Sequence, residues 1–168
     1  LATKKCNLVL TAFPETAQRF KNGKHVGAPL RRSLFNATRI EAREEFGIPK
    51  AKKVLLVLGG GSGSKAINTA IRSHIQELSK FCTVLHVCGK GNVVDSNLKN
   101  YIQYEFILDM GKAYACADLV LSRAGANAVF EIMALKKPAI FTPLAHASRG
   151  DQQQNAEYSP RVPPRPPL

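Results

Sequence analysis

The segment VLLVLGGGSGSKAINTAIRSHIQEL, residues 54–78, decides the fold. Its first five residues form a continuous apolar run, which is typical of a strand buried on both faces. A glycine-rich turn follows at residues 59–64, and apolar residues then recur at helical spacing up to Lys80. A buried strand, a glycine-rich turn and a helix bring backbone N–H groups and the positive end of the helix to one point. Such a point binds phosphate.

Strands and helices continue to alternate after this unit. The patterns predict further strands at residues 83–87, 101–107, 118–122 and 138–142, and helices at residues 110–117, 127–135 and 151–158. Strands that alternate with helices indicate βαβ units with right-handed crossovers. The predicted fold is therefore α/β, a Rossmann-like parallel sheet with flanking helices.

The two ends of the chain differ in character from this central region. Before residue 53 the sequence is polar and basic, with a short strand at 7–11, an extended piece at 24–30 and a helix at 37–46 that Gly47 ends. The last ten residues, SPRVPPRPPL, contain five of the ten prolines. Proline-rich sequence cannot continue a helix, so we expect a disordered or extended tail at 159–168.

The composition limits the possible functions. The length of 168 residues suits about one domain, and no apolar run has the ~18–20 residues that a membrane span needs. We also expect no signal peptide, because Lys4 and Lys5 adjoin a strand-like run. Lys and Arg number 24 against 12 Asp and Glu, a net charge of +12. Such an excess favours a polyanionic partner or an anionic surface.

The four cysteines and the histidines give weaker signals. No C-x-x-C pair occurs, and three cysteines lie in apolar segments, which favours buried thiols over a disulfide framework or a metal site. His74 and His86 fall in a predicted helix and strand and are expected to be structural. His146 lies in a loop after the last strand and is the one histidine expected near a ligand.

The glycine turn does not match the two best-known phosphate motifs. A P-loop requires Gly-Lys-Ser/Thr, whereas this chain has Gly63-Ser64-Lys65-Ala66. A dinucleotide fingerprint would require a carboxylate roughly 20 residues further on, and residues 85–88 (LHVC) have none. NAD is therefore disfavoured. The alternative without a ligand is that the glycines serve only a tight turn and close packing of helix on sheet.

Two later segments could contribute to the same site. SRAGANAVFE, residues 122–131, is a second turn that opens a helix; Glu131 is either a helix-dipole carboxylate or an acceptor for the two hydroxyls of a ribose. SRGDQQQNA, residues 148–156, is either a polar loop or a sugar-binding segment, in which Asp151 caps a helix and Gln152 offers an amide. All three turns follow carboxyl ends of parallel strands, the edge where open α/β sheets bind ligands.

Five segments of the chain resemble, in type and order, those of the lipid-linked N-acetylglucosaminyltransferases of peptidoglycan synthesis, in glycosyltransferase family 28. They are GGGSGSKAIN (59–68), HVCGKG (86–91), YIQYEF (101–106) and the segments at 122–131 and 148–156 described above. The resemblance covers residues 1–158. It implies the C-terminal half of a two-domain GT-B enzyme that inverts the anomeric centre without a tightly bound metal or another cofactor. The donor would be UDP-N-acetylglucosamine, and the acceptor the undecaprenyl-diphospho-muramoyl-pentapeptide at the cytoplasmic membrane face.

The resemblance also assigns roles to residues of this chain. Glu131 would bind the ribose, Ile107 would face the uracil through its backbone, and Asp151 and Gln152 would read the N-acetylglucosamine hydroxyls. The diphosphate would lie near Arg31 at an interdomain hinge, and against the two turns, through Gly61, Ser62, Gly125, Ala126, Asn127 and Ala128. The family usually has Ser at the position of Gly61, and Thr or Ser at that of Ala128. No residue of this chain is assigned as catalytic.

The resemblance predicts three regions. Residues 1–30 would be a remnant of the acceptor domain with the hinge, residues 31–158 the UDP-sugar domain, and residues 159–168 the tail. The rest of the acceptor domain, with the proposed catalytic base, would precede Leu1, so the chain would need that domain and an anionic membrane surface as partners.

Two other functions stay open from the sequence alone. One is a donor-domain subunit that pairs with a separate acceptor-domain chain. The other is a basic nucleic-acid-binding module, which is disfavoured because the chain has no Trp, few aromatic residues and dispersed Lys and Arg.

Overall fold

A computed structural model describes residues 6–144 and 151–158, in two compact units divided after Arg31. The first unit contains strand β1 (Val9–Thr11), helix α1 (Pro14–Ala17) and strand β2 (Gly23–His25), with the two strands paired in parallel. Helix α1 was not predicted. Pro14 lies at the first position of this helix, which its fixed φ suits.

The second unit is built on a five-stranded parallel sheet with the order β5-β4-β3-β6-β7. This confirms the predicted fold class. A 3₁₀ helix (Arg32–Phe35) precedes the following elements: α2 (Arg39–Glu45), β3 (Lys53–Leu58), α3 (Lys65–Ser73), α4 (Ile75–Phe81), β4 (Cys82–Val87), β5 (Tyr101–Tyr104), α5 (Met110–Cys116), β6 (Leu119–Ser122), α6 (Ala126–Ala134), β7 (Ala139–Phe141) and α7 (Asp151–Tyr158).

Strand β3 is the central strand of the sheet, and its side chains belong to two hydrophobic clusters. Val54, Leu56 and Leu58 belong to one cluster, and Leu55 and Val57 belong to the other. Because side chains of a strand alternate between the faces of a sheet, a strand covered on both faces must be apolar at every position. This explains the uninterrupted run at 54–58.

Three boundaries differ from the sequence-based predictions. The helix expected to reach Lys80 is broken at His74, because the His74 imidazole bonds to the Ala70 carbonyl oxygen (3.0 Å) that its own N–H would reach in an α-helix. That N–H bonds to Ile71 instead. Strand β5 ends at Tyr104, opposite the end of β4, rather than at Ile107. Helix α7 begins at Asp151, so Asp151 lies in its first turn instead of capping it.

Asp118 links helix α2 to the start of the sheet. Its carboxylate accepts from the guanidinium of Arg39 (2.8 Å), from that of Arg43 (3.4 Å) and from the backbone N–H of Val54 (2.8 Å). Arg43 is buried, and its guanidinium also donates to the carbonyls of Pro49, Lys50 and Lys52. The one Asp therefore neutralises a cation that would otherwise be costly to bury.

The predicted buried thiols are confirmed for two cysteines. Cys88 and Cys116 are fully buried, and burial raises the pKa of the Cys116 thiol to about 11. Among the described residues, no group of three or more His, Cys, Asp or Glu side chains could hold a metal ion. Within the same residues, none of the helices has the length and hydropathy of a membrane span.

His86 is structural, as predicted, and lies in a buried hydrogen-bonded chain. The Asn68 amide Nδ2 donates to the Cys88 carbonyl (3.0 Å), so Asn68 Oδ1 accepts from His86 Nε2 (3.0 Å). His86 Nδ1 must then accept from the Tyr101 hydroxyl (2.9 Å). The network fits the neutral imidazole. Burial, with a smaller contribution from Arg72, lowers the pKa of His86 to about 4.

This pKa predicts a pH-dependent stability. In the unfolded chain His86 binds a proton below about pH 6.5, but in the folded chain only near pH 4, so stability is lost as the pH falls through this interval. We expect the parent chain to lose up to about 3 kcal/mol more than His86→Gln between pH 7 and pH 4. Urea unfolding at several pH values measures this difference. Parallel curves for the two proteins would contradict it.

Candidate functional site

The carboxyl ends of the five strands meet at one edge of the sheet. Leu58 pairs with Val87 on one side and with Ser122 on the other, and Ser122 pairs with Phe141. The chain leaves β3 toward β4 and leaves β6 toward β7, in opposite directions along the sheet. Ligands of open α/β sheets bind at such a reversal of strand order.

A cavity of about 200 Å³ lies at this point. Four of the predicted site residues line it: Gly61, Ile107, Gly125 and Ala128. The other lining residues are strand ends, neighbouring glycines and side chains of the adjacent loops: Leu58, Gly59, Gly60, Val87, Phe106, Met110, Ser122 and Arg123. Turns that lie far apart in sequence therefore share one cavity, as the predicted edge requires.

The glycine turn after β3 has two kinds of glycine. Gly60 (φ +88°) and Gly63 (φ +78°) adopt a left-handed conformation, and a Cβ on Gly63 would lie 2.0 Å from the Cys88 carbonyl oxygen. These two glycines are therefore needed for the conformation of the turn and for its packing. This agrees with the structural explanation of the glycines that the sequence left open beside phosphate binding. Gly61 is different, since its φ is not positive and a Cβ there would meet no atom of the described residues within 4 Å. Gly61 and Ser62 are both exposed, but of the two only Gly61 lines the cavity.

The second turn presents the start of helix α6. Gly125 is the N-cap residue, and no side chain in the described part of the chain caps the helix. The first N–H groups of a helix have no partner within the helix, and two residues at this helix start, Gly125 and Ala128, line the cavity. Ala126 is half-buried beside them, whereas Asn127 is exposed and does not line the cavity. This turn is suited to an anion.

Glu131 lies one helical turn beyond Ala128, on the same face of α6. It is half-buried, and its Oε2 accepts a hydrogen bond from the Tyr114 hydroxyl (3.1 Å). Tyr114 is fully buried in α5. Glu131 does not line the cavity itself. Tyr114 was missed by the sequence analysis, although a Tyr inside an apolar helix face needs a partner for its hydroxyl group.

Arg123 joins the three segments and was also missed. Its Nη1 donates to Ser64 Oγ at the start of α3 (2.8 Å), and its Nε donates to Gln152 Oε1 in α7 (3.5 Å). Its Nη2 is buried and has no hydrogen-bond partner among the described residues. A cation with a buried donor at a cavity wall is suited to a phosphate or another anion. The signal in the sequence was an Arg between a strand and a run of small residues.

The third predicted segment packs against the second. The Asn155 amide donates to the Ala124 carbonyl (3.0 Å), and Gln152 Oε1 also accepts from the Leu144 N–H (3.1 Å). Gln152 is half-buried, and Asp151 is exposed. Arg31 is an exposed residue at the end of the first unit. His146 and the predicted tail at 159–168 lie outside the described residues.

A parallel sheet with a glycine turn, a helix start and an arginine at the switch point is typical of α/β domains that bind nucleotides. The sequence pattern of the glycosyltransferase family 28 C-terminal domain matches residues 54–160, and the chain belongs to that family. This confirms the resemblance inferred from the motifs. The match covers the predicted sheet and all three site segments.

Curated relatives agree with this assignment. A "UDP-N-acetylglucosamine--N-acetylmuramyl-(pentapeptide) pyrophosphoryl-undecaprenol N-acetylglucosamine transferase" of Clostridium novyi is 43% identical over 164 residues, which are 94% of this chain and 46% of the relative. The protein of the same name in Clostridium kluyveri is 41% identical, over 93% of this chain and 46% of its own length. The chain thus spans about half the length of the curated relatives it matches.

Solved structures place the fold in the same class. MurG of Acinetobacter baumannii is 28% identical and superposes with a TM-score of 0.63, over 93% of this chain and 45% of the MurG chain. The wall teichoic acid polymerase TagF gives a TM-score of 0.59 at 14% identity, over 83% of this chain and 40% of the TagF chain, which indicates a shared fold only.

Proposed function

We propose that the chain is the donor-binding domain of a transferase that moves N-acetylglucosamine from UDP-N-acetylglucosamine to a lipid-linked muramoyl-pentapeptide. The observation that carries the proposal is the cavity at the strand ends, which is lined both by the start of α6 and by Arg123. The names of the relatives supply the donor and the acceptor.

We assign each part of the donor to particular residues of the site. The diphosphate lies against the Gly125–Ala128 turn and the glycine turn, where N–H groups stabilise its charge. The uracil faces the Ile107 backbone, and the ribose hydroxyls donate to Glu131. Gln152 and Asp151, at the start of α7, form hydrogen bonds with the hydroxyls of the N-acetylglucosamine. Arg31 is proposed to reach the diphosphate from the hinge.

The reaction follows from the charges at the site. An acceptor hydroxyl attacks the anomeric carbon on the face opposite the diphosphate, the bond between that carbon and the phosphate oxygen breaks, and UDP leaves as an anion. The N–H groups and the arginines stabilise that anion more in the transition state than in the bound substrate, which is what accelerates transfer. The base that takes the hydroxyl proton is proposed to come from an acceptor-binding domain.

We also propose that the domain works with its partner at the cytoplasmic face of the membrane, as a peripheral protein. The acceptor named for the relatives carries an undecaprenyl chain, which is held in a lipid bilayer. By itself, the chain is expected to bind UDP weakly and to transfer no sugar. A separate subunit that supplies the acceptor domain would satisfy the same requirement.

Calorimetric titration of the chain with UDP, CDP and ADP tests this function. The expected result is binding of UDP at least about tenfold tighter than binding of the other two, because backbone contacts at Ile107 distinguish the uracil edge. Equal binding of all three diphosphates would show a general phosphate site and would overturn the proposed donor.

Gly61 allows a gain-of-affinity prediction. The open space around it accepts a side chain, and a Ser there supplies the hydroxyl that the family usually has. We expect Gly61→Ser to bind UDP about five- to tenfold tighter, the value of roughly one added hydrogen bond, with unchanged stability. The same titration measures it, with Gly61→Ala as the control that adds a Cβ but no hydroxyl.

A further inference from the structure

The glycine turn and the loop after β4 are in direct backbone contact. A Cβ on Gly63 would lie 2.0 Å from the Cys88 carbonyl oxygen, and a Cβ on Gly89 would lie 2.6 Å from the Gly63 nitrogen. Both glycines have a positive φ. Because the two backbones touch here, the position of the peptide group between Cys88 and Gly89 limits where the glycine turn can lie.

Asn68 links the two loops from the interior of the domain. It lies in α3, the helix that begins at the glycine turn, and its side chain is 3% exposed. Its backbone N–H donates to the Ser64 carbonyl (2.8 Å), and its side-chain Nδ2 donates to the Cys88 carbonyl (3.0 Å). One residue therefore bonds both to the end of the glycine turn and to the first residue after β4.

His86 and Tyr101 hold the Asn68 amide in this orientation. Asn68 Oδ1 accepts from His86 Nε2 (3.0 Å), and His86 Nδ1 accepts from the Tyr101 hydroxyl (2.9 Å). All three side chains are buried. Hydrogen bonds in a chain that is shielded from water strengthen one another and make the group at its end rigid. The amide nitrogen is therefore held against the Cys88 carbonyl.

Folding of the sheet does not require polar groups at these positions. His86 lies on the same face of β4 as Val84, because side chains alternate along a strand. Val84 belongs to the apolar cluster that also contains Ile67 and Ile71 of α3. An apolar residue at position 86 would continue this cluster, whereas a buried polar network has a desolvation cost that its hydrogen bonds must offset. What the network provides is a fixed position for one backbone carbonyl beside the candidate site.

We propose that Asn68 is a positioning residue of the donor site. Through the Cys88 carbonyl it fixes the place of the glycine turn, and with it the contact of Gly60 and Gly61 with the diphosphate. This inference rests on the proposed function, in which the diphosphate lies against that turn. Gly60 and Gly61 line the cavity and Asn68 does not, so Asn68 acts through the turn rather than by touching the ligand.

Motion of the glycine turn without nucleotide is the first test. Measurements of ¹⁵N relaxation on the parent chain and on Asn68→Ala give the mobility of each backbone amide. We expect larger motion at Gly60, Gly61 and Gly63 in the variant, with unchanged values in helix α5. Unchanged relaxation at the glycine turn would overturn the inference, whether or not the chain binds UDP.

The ratio of the affinities for UDP and UMP is the second test, since UMP lacks the second phosphate. We expect Asn68→Ala to lower this ratio about tenfold in calorimetric titrations, roughly the value of one hydrogen bond between turn and phosphate. Tyr101→Phe removes only the hydroxyl that donates to His86, and it should lower the ratio about threefold, the lower end of the same range. Tyr101→Phe decides the test if Asn68→Ala does not fold. A ratio unchanged in the folded variants would contradict the inference.

The matched control is Val84→Ala, on the same strand and the same face as His86 and fully buried. It should destabilise the core but leave the ratio of affinities within about twofold of the parent value, because Val84 has no hydrogen bond to either loop through its side chain. If Val84→Ala lowers the ratio as much as Asn68→Ala, the effect is one of general stability and the inference fails. If the parent chain binds no UDP, the proposed function fails, and the relaxation measurement then decides the inference by itself.

Discussion

Gly63→Ala should lower the free energy of unfolding by at least about 3 kcal/mol and abolish UDP binding. The added Cβ would lie 2.0 Å from the Cys88 carbonyl oxygen and 2.9 Å from its carbon, both backbone atoms that cannot rotate away. A left-handed conformation costs a non-glycine residue a further 1–2 kcal/mol, roughly. Because the loops after β3 and β4 must separate, the glycine turn loses its place at the cavity.

Gly61→Ala is the matched control two residues away. Its Cβ meets nothing within 4 Å, and Gly61 is not one of the glycines at positive φ. We expect its unfolding free energy to stay within about 0.5 kcal/mol of the parent value in urea titrations. Equal destabilisation by the two variants would mean that the turn does not have the described conformation.

Glu131→Gln should weaken UDP binding about thirty- to one-hundredfold, because it removes the charge from two hydrogen bonds to the ribose. Binding of 2′-deoxy-UDP should weaken much less, since that ligand lacks one of the two hydroxyls. The ratio of the two affinities, measured by calorimetry, therefore falls. Glutamine can still accept from the Tyr114 hydroxyl, so the fold should persist.

Tyr114→Phe isolates the positioning of this carboxylate. It removes only the hydroxyl that donates to Glu131 Oε2 at 3.1 Å. We expect a smaller fall in the same affinity ratio. If either variant loses stability but leaves the ratio unchanged, Glu131 is a structural carboxylate and the ribose assignment is wrong.

The fold could be predicted because its signals are local. The apolar run at 54–58 has one explanation, a strand covered on both faces, and both clusters around β3 agree with it. The glycine turn and the 122–131 turn were found for the same reason. The sequence predicted one helix up to Lys80, whereas α3 ends before His74. The break depends on a single contact, between the His74 side chain and the Ala70 carbonyl, which the hydropathy pattern does not reveal.

The parts of the site that were missed depend on long-range contacts. Arg123 reaches Ser64, 59 residues earlier, and Gln152, 29 residues later. Tyr114 reaches Glu131 only because α5 and α6 pack near each other. Periodicity identifies which residues are buried, but it does not identify which buried polar groups meet. The rule that open α/β sheets bind ligands at the carboxyl ends of their strands predicted which loops lie close together, but not which of their side chains form hydrogen bonds.

The assignment of residues to the donor remains the central claim, and amide chemical-shift mapping tests it most directly. The ¹⁵N-labelled chain is titrated with UDP and followed by two-dimensional NMR. The account predicts the largest shifts at the amides of Gly60, Gly61, Ile107, Gly125 and Ala126, with little change at Lys53, Lys99 or Lys136 on the opposite edge. Shifts that cluster at that opposite edge, or that spread over the surface without including these amides, would contradict it.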